Sequence, residues 1–583
     1  MQKQIKRRPT HIINNLPSVI HPIVKQIYAS RGITNQSELL LNVAQLAPID
    51  SLKDITLAAK ILHQAFIDDL NICIIGDFDA DGATSTALMT EAFTLLGYQN
   101  HQFIVPNRFE FGYGLTPEIV DMAVAQGAQL LVTVDNGISC LAGVKHAKSL
   151  GLVVIITDHH LPGKVLPIAD AIVNPNQPDC AFVSKSIAGV GVAFYLMLAL
   201  RKYLREQQWF ITKQLNEPNL ASLLDLVALG TVADVVSLDP NNRILVSQGL
   251  KRIRAGQTRP GIQALLEIAG KNQQRIVASD FGFALGPRIN AAGRLDDMSF
   301  GINCLLAKDL TTARTMAAEL DDLNKARRSI EQGMQFEAEK IITSLNYQAS
   351  QLPNAISLFQ QDWHQGVIGI VAGRLKEKYH RPSIVFAAAD IDNPQSDIKG
   401  SARSIPGLHI RDLLEHIDSQ HPQLIKKFGG HAMAAGLSIA VNNFDTFQQL
   451  FNQYAGQWIA KEDLQGTLLS DGELALSELT LSFAELLRES GPWGQNFAEP
   501  MFDDEFTLIQ QRIVGEKHLK VVLQKNNQVF DGIAFNIDTT QWPNHNIKQV
   551  HVAYKLDINE FRGKQTLQFL IEDIQVCKKL KNV

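Results

Sequence analysis

The spacing of apolar and polar positions changes along this chain, and each change marks an element. From about residue 52 to 173, short apolar runs alternate with segments of helical period. Residues 71–75 precede a helix from Ala83, residues 130–134 precede one from about Ser139, and runs at 153–156 and 171–173 follow. Continuous apolar runs separated by helices predict a parallel sheet covered on both faces. Helical patterns come next over 190–205 and 220–233, and a further helical region reaches about Ala269. The stretch 311–345 is rich in Ala, Glu, Leu, Lys and Arg and holds Gly333 as its single helix breaker, so it reads as one connecting helix. A second α/β alternation begins at 355–359, continues with a helix over 367–378, resumes at 383–386 and closes near Tyr454. Beyond it, 506–509, 518–523, 528–535, 549–555 and 566–574 are strand patterns divided by polar turns, predicting a small barrel or sandwich. The chain thus divides into an extension at 1–49 packing on the first domain, a first domain at 50–310, a connecting helix at 311–345, a second domain at 346–462 and a strand-rich module at 463–583.

Composition narrows the partners. With 583 residues, 45% of them hydrophobic and 19% charged, the chain is long enough for several cores. Its net charge of −5 excludes global basicity, so any nucleic-acid binding must use local basic grooves. Cys73, Cys140, Cys180, Cys304 and Cys577 are scattered without paired spacing and read as thiols in a reducing cytoplasm, with neither zinc nor disulfides. The basic N-terminus leads into a stretch broken by Asn14, Asn15, Pro17 and His21, a poor signal peptide, and no window resembles a membrane span.

Three separate apolar runs each end in an aspartate. The first leads into Gly76-Asp77-Phe78-Asp79-Ala80-Asp81-Gly82, the second into Asp135-Asn136-Gly137, the third into Asp158-His159-His160. Ligands gather at the carboxyl ends of parallel strands, so these groups should converge in one crevice. One aspartate at a strand end is ordinarily a turn or cap residue. Several anions held together raise one another's pKa, and a divalent cation is the natural compensation. Carboxylate oxygen with imidazole nitrogen suits Mn2+ or Mg2+, and the set is large enough for two divalent ions, which can activate a water and clamp a phosphoryl centre. Asp234, closing Gly230-Thr231-Val232-Ala233-Asp234, is a fourth acidic point, equally readable as a helix-terminal surface residue. An EF-hand reading of residues 77–82 fails, because Leu88 stands where that loop needs an acid and a strand precedes it.

This ordered set resembles the DHH phosphoesterase superfamily. Ala228–Asp234, Gly286–Leu295, Trp363–Leu375 and Phe428–Gly436 narrow the resemblance to RecJ-type exonucleases, from about residue 50 to the end. The resemblance implies a parallel-sheet α/β DHH phosphoesterase domain joined by a long helix to a DHH-associated α/β domain, with a C-terminal OB-like β-barrel. It implies Asp77, Asp79, Asp81, Asp135, His159 and Asp234 as metal ligands, and Asp79, Asp81, Asp135, Asp158, His159, His160 and Asp234 as the catalytic set. Ile75 departs from some relatives, which carry a ligand histidine there, and Asp77 is placed to compensate.

Other residues could hold a strand. Gly429, Gly430 and His431 are expected to open a helical stretch whose freed amides bind an anion. Ser401 and Arg403 fall on one face if they lie on a strand, and arginine forks onto two phosphate oxygens. Arg108, Arg288, Asn290 and Arg294 lie in segments with Gly, Pro or Asn that could line the same path, and the resemblance favours a groove role for His364. Lys520 and its neighbours offer charge in the strand-rich module. The activity implied is 5′→3′ exonuclease cleavage of single-stranded DNA to 5′-mononucleotides by two-metal-ion hydrolysis in a cleft between the α/β domains. The enzyme would be a cytoplasmic monomer of DNA repair and recombination, with single-strand-binding protein and a RecQ-like helicase as partners. Two competing readings are a hydrolase of short oligoribonucleotides or cyclic dinucleotides, and a non-catalytic DNA-binding scaffold.

Overall fold

The computed structural model describes residues 3–9, 15–107, 110–111, 113–344 and 352–577. Its contacts divide the chain into two units, one holding residues 9–324 and 485–499, the other residues 1–8, 325–484 and 500–583. In chain order the strands are β1 (Gln4–Arg7), β2 (Ile72–Ile75), β3 (His101–Ile104), β4 (Leu130–Val134), β5 (Val153–Thr157), β6 (Ala171–Val173), β7 (Ile356–Gln360), β8 (Ser383–Ala388), β9 (Asp397–Arg403), β10 (Lys427–Gly430), β11 (Ala434–Ala440), β12 (Thr467–Ser470), β13 (Phe502–Val514), β14 (His518–Lys525), β15 (Gln528–Ala534), β16 (Gln549–Phe561) and β17 (Lys564–Val576).

In the first unit, β3-β2-β4-β5-β6 form the predicted parallel sheet. Strands β2, β4, β5 and β6 are buried on both faces, and the faces alternate residue by residue. Ile72, Ile74, Leu130 and Val132 enter one core with the helices Ile55–Ile67, Ala80–Leu95 and Gly189–Glu206, whereas Cys73, Ile75 and Leu131 enter another with Pro117–Ala125 and Leu141–Ser149. Edge strand β3 escapes the sequence pattern because His101 and Gln102 are half-exposed there. The helix after β2 begins at Ala80, three residues earlier than its apolar period suggests, because Asp79 caps it by accepting from the Asp81 and Gly82 amides.

The second unit differs more from expectation. Strands β10-β11-β9-β8-β7 form one mixed sheet. The stretch at Gly429, Gly430 and His431 does not start a helix. Gly429 and Gly430 end strand β10, which pairs antiparallel with β11, and Gly430 takes φ +141° at the turn. Glycine's freedom serves a hairpin here, not a helix N-terminus. The barrel closes in the order β13-β14-β15-β17-β16, with β15 parallel to β17 and β16 returning to β13. Phe502, Phe506, Tyr554 and Phe569 are fully buried, with Tyr554 and Phe569 stacked at 4.4 Å.

Domain boundaries also shift. Strand β1 pairs with β12, and Arg7 forks onto the Asp503 carboxylate, which Ser470 and His551 also engage. The extension expected at 1–49 is therefore shared between the units, as is the helix Leu310–Ser344. Residues 485–499, expected with the barrel, join the first unit. Trp493 stacks on Phe497 at 5.1 Å and Arg243 covers the Phe497 ring at 4.4 Å.

Beneath the helix Leu224–Ala233 lies a buried ion cluster. Arg259 forks onto Asp225 at 3.0 Å and reaches Glu91 at 2.5 Å, and Thr258 donates to the same aspartate. Removing one member strands a buried charge. Asp225→Ala should lower unfolding stability by about 3–5 kcal/mol, measured by chemical denaturation; a loss under 1 kcal/mol would mean that water reaches Arg259.

Candidate metal centre

The strand ends and the helix termini beside them build a site of carboxylates and imidazoles. Asp77 and Asp79 follow β2, Asp135 follows β4, Asp158 to His160 follow β5, and Asp234 caps the C-terminal end of Leu224–Ala233. Three groups bring possible ligand atoms within 4.8 Å of one another: Asp77, Asp79 and Asp135; Asp81, His159 and Asp234; and Asp135, His159 and His160. All seven predicted acidic-centre residues other than Asp158 fall in these groups. Ile75 is buried in the sheet, and Asp77 stands two residues beyond it in the first of them.

Local backbone fixes each group. Asp81 lies in the first turn of Ala80–Leu95 and accepts from the Gly189 and Val190 amides at 2.7 and 3.0 Å, so the N-terminus of Gly189–Glu206 points at it. Gly189 allows that approach, since a Cβ there would lie 2.5 Å from Asp135 Oδ1. Asp135 itself takes φ +62°, and Tyr113 holds it by donating to its carbonyl at 2.9 Å. Asn136 ties the ends of two strands by donating to the carbonyls of Ile75 and Val134. Gly189, Tyr113 and Asn136 were not singled out by sequence reasoning. Gly189-Val190-Gly191 at a helix start was the one legible signal.

Electrostatics separates two kinds of carboxylate. Asp158 accepts four hydrogen bonds, from the Ile138, His159 and His160 amides and from His160 Nδ1 at 2.7 Å. Burial alone would raise its pKa, but His160 outweighs burial and holds it at about 2, while the His160 imidazole rises to about 9. The pair also holds the backbone of His159, whose amide donates to Asp158, and Tyr113 lies 3.3 Å from the same His160 nitrogen. Burial, and then the neighbouring carboxylates, push Asp81 and Asp234 up to about 7 and Asp135 well above the usual range. Burial and the charge of His160 lower the His159 pKa, leaving a neutral imidazole.

The fit to a cation is visible in unmatched atoms. Asp135 Oδ1, His159 Nε2 and Asp234 Oδ2 are buried without a hydrogen-bond partner, although His159 Nε2 lies 3.1 Å from the first oxygen and 3.5 Å from the second. Buried acceptors that face one another with no matched donor are costly unless a proton or a positive ion sits among them. Carboxylate and imidazole donors without thiolate suit Mn2+ or Mg2+.

Residues 71–231 match the DHH family N-terminal domain, residues 346–457 the DHHA1 domain and residues 470–573 the RecJ OB domain. The single-stranded-DNA-specific exonuclease RecJ of Salmonella typhimurium is 56% identical over 98% of this chain and 99% of its own length. The chain belongs to the RecJ family. RecJ of Escherichia coli is 55% identical over the same shares. The crystal structure of Thermus thermophilus RecJ in complex with Mn2+ superposes with a TM-score of 0.78 at 28% identity, covering 99% of this chain and 80% of that one. A Mg2+ complex of the same protein gives 0.72 at 26% identity over 99% and 79%. The RecJ assignment accounts for the fold: a DHH sheet, a DHH-associated sheet and an OB barrel in that order.

The remaining predicted residues separate. Asn290 accepts from the Ala80 amide at 2.8 Å and so anchors the acidic loop. Arg288 is largely buried and paired with Asp321 at 2.8 Å, and Arg294 is half-buried on the same helix, Gly286–Leu295. Arg108 lies outside the described residues. In the second unit, Arg403 donates to Ser401 at 3.1 Å, and Gly369 leaves room for both. Ser401 is in register with Gly436, and Gly436 with Gly429, so a hydroxyl, a guanidinium and two bare glycines share one accessible sheet face with Lys399 and Lys427. His364 accepts from the Gly366 amide, His431 is exposed in the turn of the β10–β11 hairpin, and Lys520 lines a barrel pocket with Arg512 and Asp531.

Two outcomes follow from the packing and the charge. Gly189→Ala drives a methyl into Asp135 and should weaken Mn2+ binding roughly 10–100-fold by calorimetry, a magnitude usual for groups that orient ligands; unchanged affinity would show that the pocket yields. Asp81, Asp135 and Asp234 have native pKa values above their unfolded ones, so the chelated native protein binds extra protons between about pH 4 and 7. These groups stabilise the chelated protein below the unfolded carboxylate pKa, and the contribution is lost as pH rises through about 7. Melting in EDTA should therefore occur at lower temperature at pH 8 than at pH 5.5, with the larger gain from Mn2+ at pH 8. An EDTA melting temperature that rises over this range contradicts the assignment.

Proposed function

We propose that the protein is a 5′→3′ exonuclease that degrades single-stranded DNA to 5′-mononucleotides, with two divalent ions, Mn2+ or Mg2+, held by Asp77, Asp79, Asp81, Asp135, His159 and Asp234. The observation that carries this reading is the convergence of unmatched buried donors in a chain that belongs to the RecJ family. When bound, the ions would lower the pKa of a water and offset charge on the phosphoryl oxygens. The protein's own part is positioning. Helix and loop amides hold Asp81 and Asp79, Tyr113 holds Asp135 by donating to its carbonyl, and the Asp158 carboxylate fixes the backbone of His159 by accepting from its amide. Arg403 and Ser401 on β9, over the glycine floor of β10 and β11, suit a strand's terminal phosphate, because a guanidinium forks onto two oxygens.

The RecJ OB domain gives a base-tolerant surface for a longer strand, with Lys520, Arg512 and the half-exposed ring of Phe535 on offer. This favours long single strands over short oligoribonucleotides or cyclic dinucleotides, and the retained acidic set favours an enzyme over a scaffold. Family membership also supports a cytoplasmic monomer acting in repair and recombination, supplied with strands by single-strand-binding protein and a RecQ-like helicase. No helix of the described residues is long and apolar enough to cross a membrane.

The test is digestion of one DNA oligomer labelled at either end, with Mn2+ and with its duplex form as control. Immediate release of 5′-labelled mononucleotide, stepwise shortening of the 3′-labelled strand and an intact duplex are expected. Asp135→Ala should abolish cleavage and largely spare strand binding; undiminished turnover by that variant would remove Asp135 from the centre.

A further inference from the structure

Two helices meet at the acidic centre more closely than a methyl group allows. Asp81 lies in Ala80–Leu95, and Asp234 closes Leu224–Ala233. A Cβ on Gly230 of the second helix would lie 2.2 Å from Thr84 Oγ1, 2.8 Å from Val190 Cγ1 and 2.9 Å from Asp81 Oδ1. Residues four apart share a helix face, and the Asp234 amide donates to the Gly230 carbonyl at 2.9 Å, so Gly230 and Asp234 move as one turn. Neither side of this contact yields freely. The two Asp81 oxygens accept from the Gly189 and Val190 amides, and Thr84 Oγ1 donates to the Ala80 carbonyl at 2.8 Å. The Asp234 helix is backed in turn by Pro240–Arg254, where a Cβ on Gly249 would lie 2.3 Å from the Leu224 carbonyl oxygen. Glycine weakens a helix interior, so its presence at 230 is explained by the approach that it permits.

We infer that Gly230, together with Gly189 against Asp135, fixes the carboxylate spacing so that the centre selects Mg2+ and Mn2+ over the larger Ca2+. The inference rests on reading the acidic centre as a metal site and adds what sets its choice of ion. Mg2+ demands oxygens at about 2.0–2.1 Å, whereas Ca2+ takes them at about 2.3–2.6 Å in more flexible shells. Ordinary contact for a Cβ begins near 3.4 Å, so a methyl at 230 forces about half an ångström between Asp81 and the helix that carries Asp234. That displacement is as large as the difference between the two ions' shells.

The test compares the full chain with its Gly230→Ala variant. Bound Mn2+ is measured by electron paramagnetic resonance while Ca2+ or Mg2+ is added to displace it, with melting and cleavage of a single-stranded oligomer in Mn2+ followed in parallel. The ratio of the Ca2+ to the Mg2+ concentration that displaces half of the Mn2+ should fall roughly ten-fold in the variant, a scale usual for groups that orient ligands. Gly333→Ala, at a helical glycine with open space around it, should keep the parent's ratio. If Gly230→Ala does not melt cooperatively, its combination with Thr84→Ala removes the nearest contact, keeps the one with Asp81 and should show the same fall. An unchanged ratio, or an equal loss of affinity for all three ions, overturns the gauge. A parent that binds no Mn2+ overturns the metal-centre reading and the gauge with it. A parent that binds Mn2+ with the expected contrast but cleaves no strand sinks the nuclease reading and leaves the gauge standing.

Discussion

Confining the carboxylates of Asp77, Asp79, Asp81, Asp135 and Asp234 beside the imidazoles of His159 and His160 is the constraint that the first unit is built to meet. Like charges in a low-dielectric place repel strongly, and burial adds a desolvation cost for each. The fold offsets part of this with backbone dipoles, the amides at 189 and 190 on Asp81 and the helix-cap amides on Asp79. What is left over appears as raised pKa values and as buried atoms without partners. A cation removes both at once, so the same residues that destabilise the metal-free protein give it affinity for divalent ions.

The contrast between Asp158 and Asp135 shows environment deciding role. Both follow adjacent parallel strands and both are buried. Asp158 is saturated by four donors and locked to a charged His160, which leaves it little capacity to meet an ion. Asp135 has an unmatched oxygen and sits on strained backbone pinned by Tyr113. Side-chain identity alone does not separate them. Donor count does.

The second unit meets a different requirement. An accessible sheet face needs something other than bulky side chains if a phosphate chain is to lie close, and the row Ser401, Gly436, Gly429 provides it. Buried residues on the opposite face, such as Ile398, Ala402 and Leu437, secure the sheet to its helices Ile410–Gln420 and Phe444–Trp458. Alternation with period two lets one strand serve both purposes.

The parallel sheet, the long helix and the barrel were legible in the sequence because each rests on a local period: continuous apolar strands, helical spacing over 310–344, and alternation broken by polar turns. The acidic centre was legible for the same reason, since three strands ending in aspartate must deliver them to one sheet edge. Strand β3 and the β10–β11 hairpin were not, because half-exposed polar residues and paired glycines carry no period of their own. Strand β1 and residues 485–499 join elements hundreds of positions away, a choice made by Arg7 meeting Asp503 and by the rings of Trp493 and Phe497, which local pattern does not encode. The sequence by itself determined which chemical groups stand at the ends of which strands. Only the tertiary structure decided which of them are saturated with hydrogen bonds and which stay open to a metal, because that depends on amides, glycines and hydroxyls contributed from distant parts of the chain.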